Sequence, residues 1–452
     1  MSYQRTVEQL YALGHELAGT PSHKFDLSYV RQMLLALGSP ERRFASVLIA
    51  GTNGKGSTAA TLASILRAAG HKTGLYSSPH LVSINERIWV NGEKISDAEF
   101  GAIHDRAERT AQELLHAGKL PWHPSFFEML TVMAFEYFAS VGAEIAVLEV
   151  GMGGRLDATN VVEPLVSVIA DISLDHQKYL GDTIAEIAGE KVGIIRKHGV
   201  VVTLPQHPQA NDVIGRAILD KDARGVSAAG YVPPVSPGAA AYLTGHAAVV
   251  PGRSRYPLTF MGEEIEVDSP LAGRHQLRNI ALAIATAEEL RQFGFAATPK
   301  QIEQGIRETY WPGRFQVLPA SAATHGRAMV LDVAHNPAGA WALRSALAEN
   351  FPAHEITMIF AAMRDKAIRE MAEVLFPIAA HVVVTQVNNP RAATADELLQ
   401  AGARTGADMY AAENVPAALM RAAEVSGTDG LIVVTGSIYL VGEVMSVLGI
   451  RA

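Results

Sequence analysis

The sequence predicts an α/β protein of two domains. The larger is a P-loop-type domain, a mostly parallel sheet covered by helices with a small β-rich appendage; the smaller is a Rossmann-like α/β domain at the C-terminal end. Three observations predict this. Apolar strand-like runs alternate with segments of helical periodicity, the signature of βαβ units. The runs are too continuously apolar to have a solvated face, as expected of strands covered on both sides. At 452 residues, the chain exceeds what one core usually supports.

In chain order, "FASVLIAG" (Phe44 to Gly51) reads as a buried strand, followed by a helix from about Ser57 to Ala69. "HKTGLY" is a short strand, and "FFEMLTVMAFEYFASVG" a long helix leading into the strand "EIAVLEVG". "LVSVIADI" precedes the helical "TIAEIAGEKVGIIRK". From about His207 to Pro270 the texture changes, with "YVPPVSPGAAAY" and the alternating "LTFMGEEIEVD", so a β-rich, loop-rich appendage is expected there. A helix resumes at "HQLRNIALAIATAEEL". The strands "AMVLDVAH", "EITMIFAAM", "HVVVTQV" and "LIVVTGS", each followed by a helical segment, then form a second series. Trp-Pro-Gly interrupts any helix between Tyr310 and Arg314, which places the boundary between domains 1–309 and 310–452.

Composition limits the function classes. The chain is 48% hydrophobic and 19% charged, as globular proteins are, and lacks cysteine, which excludes disulfides and thiolate metal sites. No segment has the apolar length of a membrane span, and "MSYQRTVEQLYALGHEL" has no signal-peptide core. The expectation is a soluble protein of the reducing cytoplasm. A net charge of −8 argues against nucleic acid or an anionic membrane as partner, so any anionic ligand has to be met by local positive groups.

"VLIAGTNGKGSTAATLASIL" (Val47 to Leu66) supplies such groups. A buried strand, a turn carrying Gly51, Thr52, Asn53, Gly54 and Gly56, and a helix start offer a row of free N–H groups at a positive dipole end. Lys55 adds an ammonium, and Ser57 or Thr58 a hydroxyl for magnesium, so a nucleotide triphosphate is the expected anion. The spacing is not the common G-x-x-x-x-G-K-[ST], since an extra Gly separates the lysine from Ser57.

Other strand ends carry chemistry too. Glu149 closes an apolar strand and is followed by a second glycine-rich loop with Arg155 and Asp157, a carboxylate able to hold magnesium beside the phosphates. Asp175 and His176 follow the next strand. Ser78-Pro79 makes an extended corner that can present its hydroxyl to a metal. Lys191, beside Glu190, reads by itself as a solvated helix charge, and Phe126 and Phe127 at a helix start read as core. In the second domain Asp332, His335 and Asn336 end a strand ahead of a helix; Asn336 is also placed to cap that helix, with Pro337 at its first position. Arg314 and Asn279 are placed to meet phosphate and base.

Taken together, "GTNGKGS", "YSSPHLVSINERI", "EVGMGGRLDATN", "DHQKYLGDTIAEIAGEKVGI", "GRHQLRNIALA", "WPGRFQ" and "LDVAHNPAG" resemble folylpolyglutamate synthase, including its bifunctional dihydrofolate synthase form, within the Mur ligase superfamily. The likeness runs in order from Lys24 to Gly339 and continues loosely to "VVTGSIYLVGE". It implies an ATP-dependent amide ligase. In such enzymes ATP phosphorylates a carboxylate of dihydropteroate or a reduced folate, and the amino group of L-glutamate displaces phosphate from the acyl phosphate.

The resemblance implies magnesium ligands at Ser78, Glu149 and His176, with two magnesium sites possible, and a carbamylated lysine at Lys191. It implies ATP contacts from the loop 51–57, Asn279, Arg314 and Asp332, with His335 near the transferring phosphoryl. Pterin contacts map to Phe25, Asp26, Leu27, Ser125, Phe127, Asp157 and Ala158, and a monomer is expected. Two other readings compete: a Mur-type ligase with a different carboxylate acceptor, against which the "SSPHL" loop speaks, and a P-loop ATPase with a regulatory second domain.

Overall fold

The computed structural model describes residues 2–14, 26–234 and 251–451. In chain order the first sheet holds β1 (Ala45–Ala50), β2 (Thr73–Tyr76), β3 (Ile88–Val90), β4 (Glu93–Lys94), β5 (Ile145–Glu149), β6 (Val166–Ile169), β7 (Val200–Thr203) and β8 (Arg224–Ser227). Its spatial order is β4-β3-β2-β5-β1-β6-β7-β8. From β2 to β8 the pairings are parallel, and β3 and β4 add an antiparallel edge. β1 is central: Val47 lies opposite Val147 of β5 and Val166 of β6.

The run "VLIA" is apolar throughout because both faces of β1 are buried. Leu48 and Ala50 enter one core with Leu148, Phe135 and Ile169, whereas Val47 and Ile49 enter the other with Val147, Leu62 and Ile280. The long helix Phe126–Ser140 covers the first face, and the helices Lys55–Ala68 and Arg274–Leu290 cover the second.

The β-rich expectation for 207–270 needs correction. Pro208–Asp220 is a helix, with His207 as its cap and Pro208 in its first turn. Ala210 and Ile214 are buried on its inner face, at a helical spacing that the surrounding prolines and glycines obscured. β8 then joins the main sheet, and among the described residues of the stretch only β9 (Ser254–Phe260) and β10 (Glu263–Ser269) form a separate antiparallel hairpin.

The second sheet follows the helix Pro299–Arg307 and contains β11 (Gln316–Leu318), β12 (Ala328–Leu331), β13 (Ile356–Phe360), β14 (His381–Thr385), β15 (Asp408–Ala412) and β16 (Leu431–Thr435). Their order is β11-β12-β16-β13-β14-β15, parallel except at the β11 edge. Alternate residues again serve two cores: Met358 and Phe360 on one face, Ile359 and Val383 on the other. The carboxyl ends of both sheets, where open α/β sheets bind ligands, face one another across a cleft.

Candidate active site

The cleft has a volume of about 990 Å³. Most candidate residues from the sequence within the described part of the chain line it: Asp26, Leu27, the loop 51–57, Ser78, Ser125, Phe127, Glu149, Asp157, Ala158, His176, Lys191, Asn279, Arg314, Asp332 and His335; Thr58 and Asn336 lie behind its wall. Phe25 lies outside the described residues.

The phosphate-type loop is held from β6's exit. The N–H groups of Thr52 and Asn53 both donate to the Asp171 carbonyl, at 2.8 and 3.1 Å, and the Asn53 amide donates to the Ser173 hydroxyl at 3.0 Å. Gly54 caps the helix Lys55–Ala68 with φ +84°, and a Cβ there would stand 2.2 Å from Asn279 Oδ1, so the position admits glycine only. Ser57 faces the cleft, whereas the Thr58 hydroxyl is buried, which separates the two hydroxyls that the sequence left equivalent. Lys55 Nζ rests on its own loop, donating to the Thr52 carbonyl at 3.2 Å.

Glu149 ends β5 and is buried; one of its oxygens accepts from the Ser78 N–H at 3.3 Å, across a cis Ser78–Pro79 corner. Lys191 is not the solvated helix charge its neighbours suggested. It is 3% exposed, and its Nζ donates to the Gly51 carbonyl at 2.9 Å. Burial, with Lys55 nearby, lowers its pKa to about 7. His176 takes a left-handed conformation at φ +51°. Burial lowers its pKa to about 4 despite Asp175, so near neutral pH the ring offers a lone pair.

Elsewhere along the cleft wall, Asp26 caps the helix Leu27–Ala36 by accepting from the Ser28 N–H. The Ser125 hydroxyl is engaged in a capping box with Glu128 at 2.7 Å. Phe126 is core, as expected, stacked on Tyr11, while Phe127 reaches the cleft wall against Gly151. Asp157 is buried and accepts from the Met152 and Thr159 N–H groups, both at 3.0 Å; burial nevertheless raises its pKa.

From the second sheet, Asp332 accepts from the Phe315 and Ala334 N–H groups, each at 2.9 Å, and burial raises its pKa. His335 Nδ1 donates to the Val333 carbonyl at 3.0 Å, leaving Nε2 on the cleft side, 3.6 Å from Asp175. Asn336 is the helix cap its position suggested. Its Oδ1 caps the helix Pro337–Asn350 through the Gly339 N–H at 2.8 Å, and its Nδ2 crosses to Asn53 Oδ1 at 3.0 Å and Asp175 at 3.3 Å.

The sequence reading passed over Lys366, whose Nζ reaches Asp175 Oδ1 at 2.6 Å, with side chains 11% and 8% exposed. Burial alone would raise the Asp175 pKa, but His335, His176 and Lys366 outweigh it and hold the carboxyl far below the usual range. It also missed His275 and Arg278 on the cleft wall, the latter paired with Asp171 at 2.6 Å. The signal for Lys366 was present: "AAMRDK" follows the strand "ITMIF", putting Lys366 six residues beyond the strand end, as Asp175 is beyond Ile169.

A glycine-rich loop on a central parallel strand, acidic and histidine side chains at neighbouring strand ends, and a second α/β domain closing over them define an ATP-dependent ligase of the Mur type. Residues 123–287 match the Mur ligase middle domain, and residues 313–438 match the Mur ligase glutamate ligase domain. The chain belongs to the folylpolyglutamate synthase/dihydrofolate synthase family. It is 32% identical to the dihydrofolate synthase/folylpolyglutamate synthase of Bacillus subtilis, covering 92% of this chain and 94% of that one. To the Mycobacterium tuberculosis protein of the same description it is 35% identical, over 95% and 91% of the two chains. The solved structure of M. tuberculosis folylpolyglutamate synthase complexed with ADP superposes with a TM-score of 0.88 at 31% identity, covering 100% of both chains. The structure of E. coli FolC in complex with DHPP and ADP superposes with a TM-score of 0.79 at 26% identity, over 98% and 97% of the chains.

Proposed function

We propose that this chain joins the amino group of L-glutamate to a carboxylate of dihydropteroate or of a reduced folate, with conversion of ATP to ADP and phosphate. The observation that carries this reading is the convergence of the loop 51–57, Glu149, His176, Asp332 and His335 on one cleft between two sheets. Its partners are then ATP, L-glutamate and the pteridine substrate, acted on by a monomer in the cytoplasm, with the domain boundary at 310–314.

In this reading the free N–H groups at the start of the helix Lys55–Ala68 and the Lys55 ammonium hold the β- and γ-phosphates. Asn279 and Arg314 flank them, and Asp332 orients the nucleotide. The donor set suits magnesium. Among the described residues no group of three or more His, Asp or Glu forms a closed cage, and magnesium is commonly held by one or two carboxylates with substrate phosphates and waters completing the shell. Ser78, Glu149 and neutral His176 would hold it, and it would neutralise charge on the phosphates. Lys191, buried with a lowered pKa, has the neutral amine that adds carbon dioxide with loss of a proton, which would give a carbamate facing the same place.

The pteridine lies toward Asp26, Leu27, Ser125, Phe127, Asp157 and Ala158, where an aromatic wall and a buried carboxyl suit a flat ring bearing N–H donors. Phe25 belongs to the same proposed group. The attacked carboxylate then points at the phosphate loop. His335, held through Nδ1, keeps Nε2 near the transferring phosphoryl. Placing the three reactants together and excluding water supplies the catalysis.

The test is ADP release with dihydropteroate, with tetrahydrofolate and with neither, each with glutamate. Release that needs both glutamate and a pteridine carboxylate is expected. Equal ATP hydrolysis with and without them would favour the P-loop ATPase and end the ligase reading.

A further inference from the structure

The stretch joining the two sheets carries a contact that the roles above do not use. Trp311 lays its indole against Gly56 of the phosphate loop: a Cβ built on Gly56 would stand 2.8 Å from Trp311 Cζ2 and 3.1 Å from Nε1. The indole N–H is buried and donates to no described residue, so packing rather than polar pairing holds the ring there. Upstream, Gly305 presses on the helix that begins at Lys55, where a Cβ would stand 2.4 Å from Ile65 Cα.

Downstream, the same stretch is tied to the second sheet. The Gly313 carbonyl accepts from the Val333 N–H at 3.0 Å, and the Phe315 N–H donates to Asp332 at 2.9 Å. Arg314, between these two anchors, lines the cleft. Phe315 is fully buried at φ +48°, a left-handed conformation that packing has to hold.

We propose that Trp311 is a positioning residue that couples the phosphate loop to Arg314 and the Asp332 turn. The stretch is fixed at one end on the nucleotide-binding helix and at the other on the second sheet, and the ring on Gly56 sets the distance between them. A nucleotide that orders the loop thereby fixes where the second-domain residues stand. The inference rests on the reading of loop 51–57 as the phosphate site.

The experiment measures ADP binding by calorimetry, and the KM values for ATP and glutamate, in the full chain and in Trp311→Ala and Trp311→Phe. Trp311→Ala is expected to weaken ADP binding and raise the ATP KM about tenfold or more, leaving the glutamate KM within about twofold. Trp311→Phe, which keeps a ring beside Gly56, is expected to recover most of the loss. Trp311→Leu serves in place of the alanine variant if that chain does not fold. A change in tryptophan emission on ADP addition is expected in the wild type and not in Trp311→Phe. Equal ADP affinity in wild type and Trp311→Ala overturns the coupling while leaving the phosphate-loop reading intact. Absence of ADP binding by the wild type removes both.

Discussion

Replacing Lys366 with Met removes the ammonium that crosses from the second sheet to Asp175, and the structure sets the size of the effect. The pair is 2.6 Å apart and nearly buried on both sides. Breaking a buried ion pair by deleting one partner costs about 3–5 kcal/mol, because the other charge is left in a poor solvent. Asp175 keeps the Asn336 amide at 3.3 Å and the His335 ring at 3.6 Å, so we expect a cost just below that range, about 2–3 kcal/mol.

Asp175 also gives the effect a pH signature. Its folded pKa is held below the unfolded value, so its contribution is present above the unfolded value and is lost as pH falls toward the folded one. Without Lys366 the depression shrinks, and acid destabilisation begins at a higher pH. Urea unfolding of wild type, Lys366→Met, Asp175→Asn and the double variant, at neutral and acid pH, measures the coupling directly. Glutamate-dependent ADP release in the same variants should fall, since His335 and Asn336 are oriented by the same carboxylate. Additive single-variant effects, or a Lys366→Met loss below about 0.5 kcal/mol, would refute the reasoning.

Gly54→Ala combines a left-handed residue with a close approach to Asn279; about 2–4 kcal/mol of destabilisation is expected from the two terms together, read by thermal unfolding. The Glu108–His123 pair, 3.0 Å apart and outside the cleft lining, gives a separate pH effect. His123 is raised by its bond to Glu108, so its contribution is full below its unfolded pKa and disappears as pH rises through the folded one; Glu108, lowered to about 2, contributes above its unfolded value and loses this as pH falls toward about 2. His123→Ala should therefore cost most between about pH 4.5 and 6.5 and little at pH 9, as denaturant midpoints would record. His176→Ala should reduce magnesium-dependent turnover by about 100-fold with little change in unfolding midpoint; wild-type turnover would remove His176 from the metal-facing set.

Much of this site was legible because strand ends are local. Gly51 to Ser57, Glu149, His176 and Asp332 each follow an apolar run, and in a parallel sheet the carboxyl ends share one edge. Lys191 was misread on its own residues because burial is not a local property: Glu190 beside it turns outward to pair with Arg155, while Lys191 points inward to Gly51. The helix Pro208–Asp220 was hidden by its flanking prolines and glycines, although its buried Ala210 and Ile214 keep a helical spacing.

By itself, then, the order of apolar runs determined two mostly parallel sheets and the chemistry at their ends, since period and burial on both faces are written in neighbouring residues. Tertiary structure alone decided which charges meet. The Asp175–Lys366 pair, the reach of Asn336 to Asn53 and the seat of Trp311 on Gly56 join residues far apart in the chain. Such pairings depend on how one sheet is set against the other, and no local pattern encodes that angle.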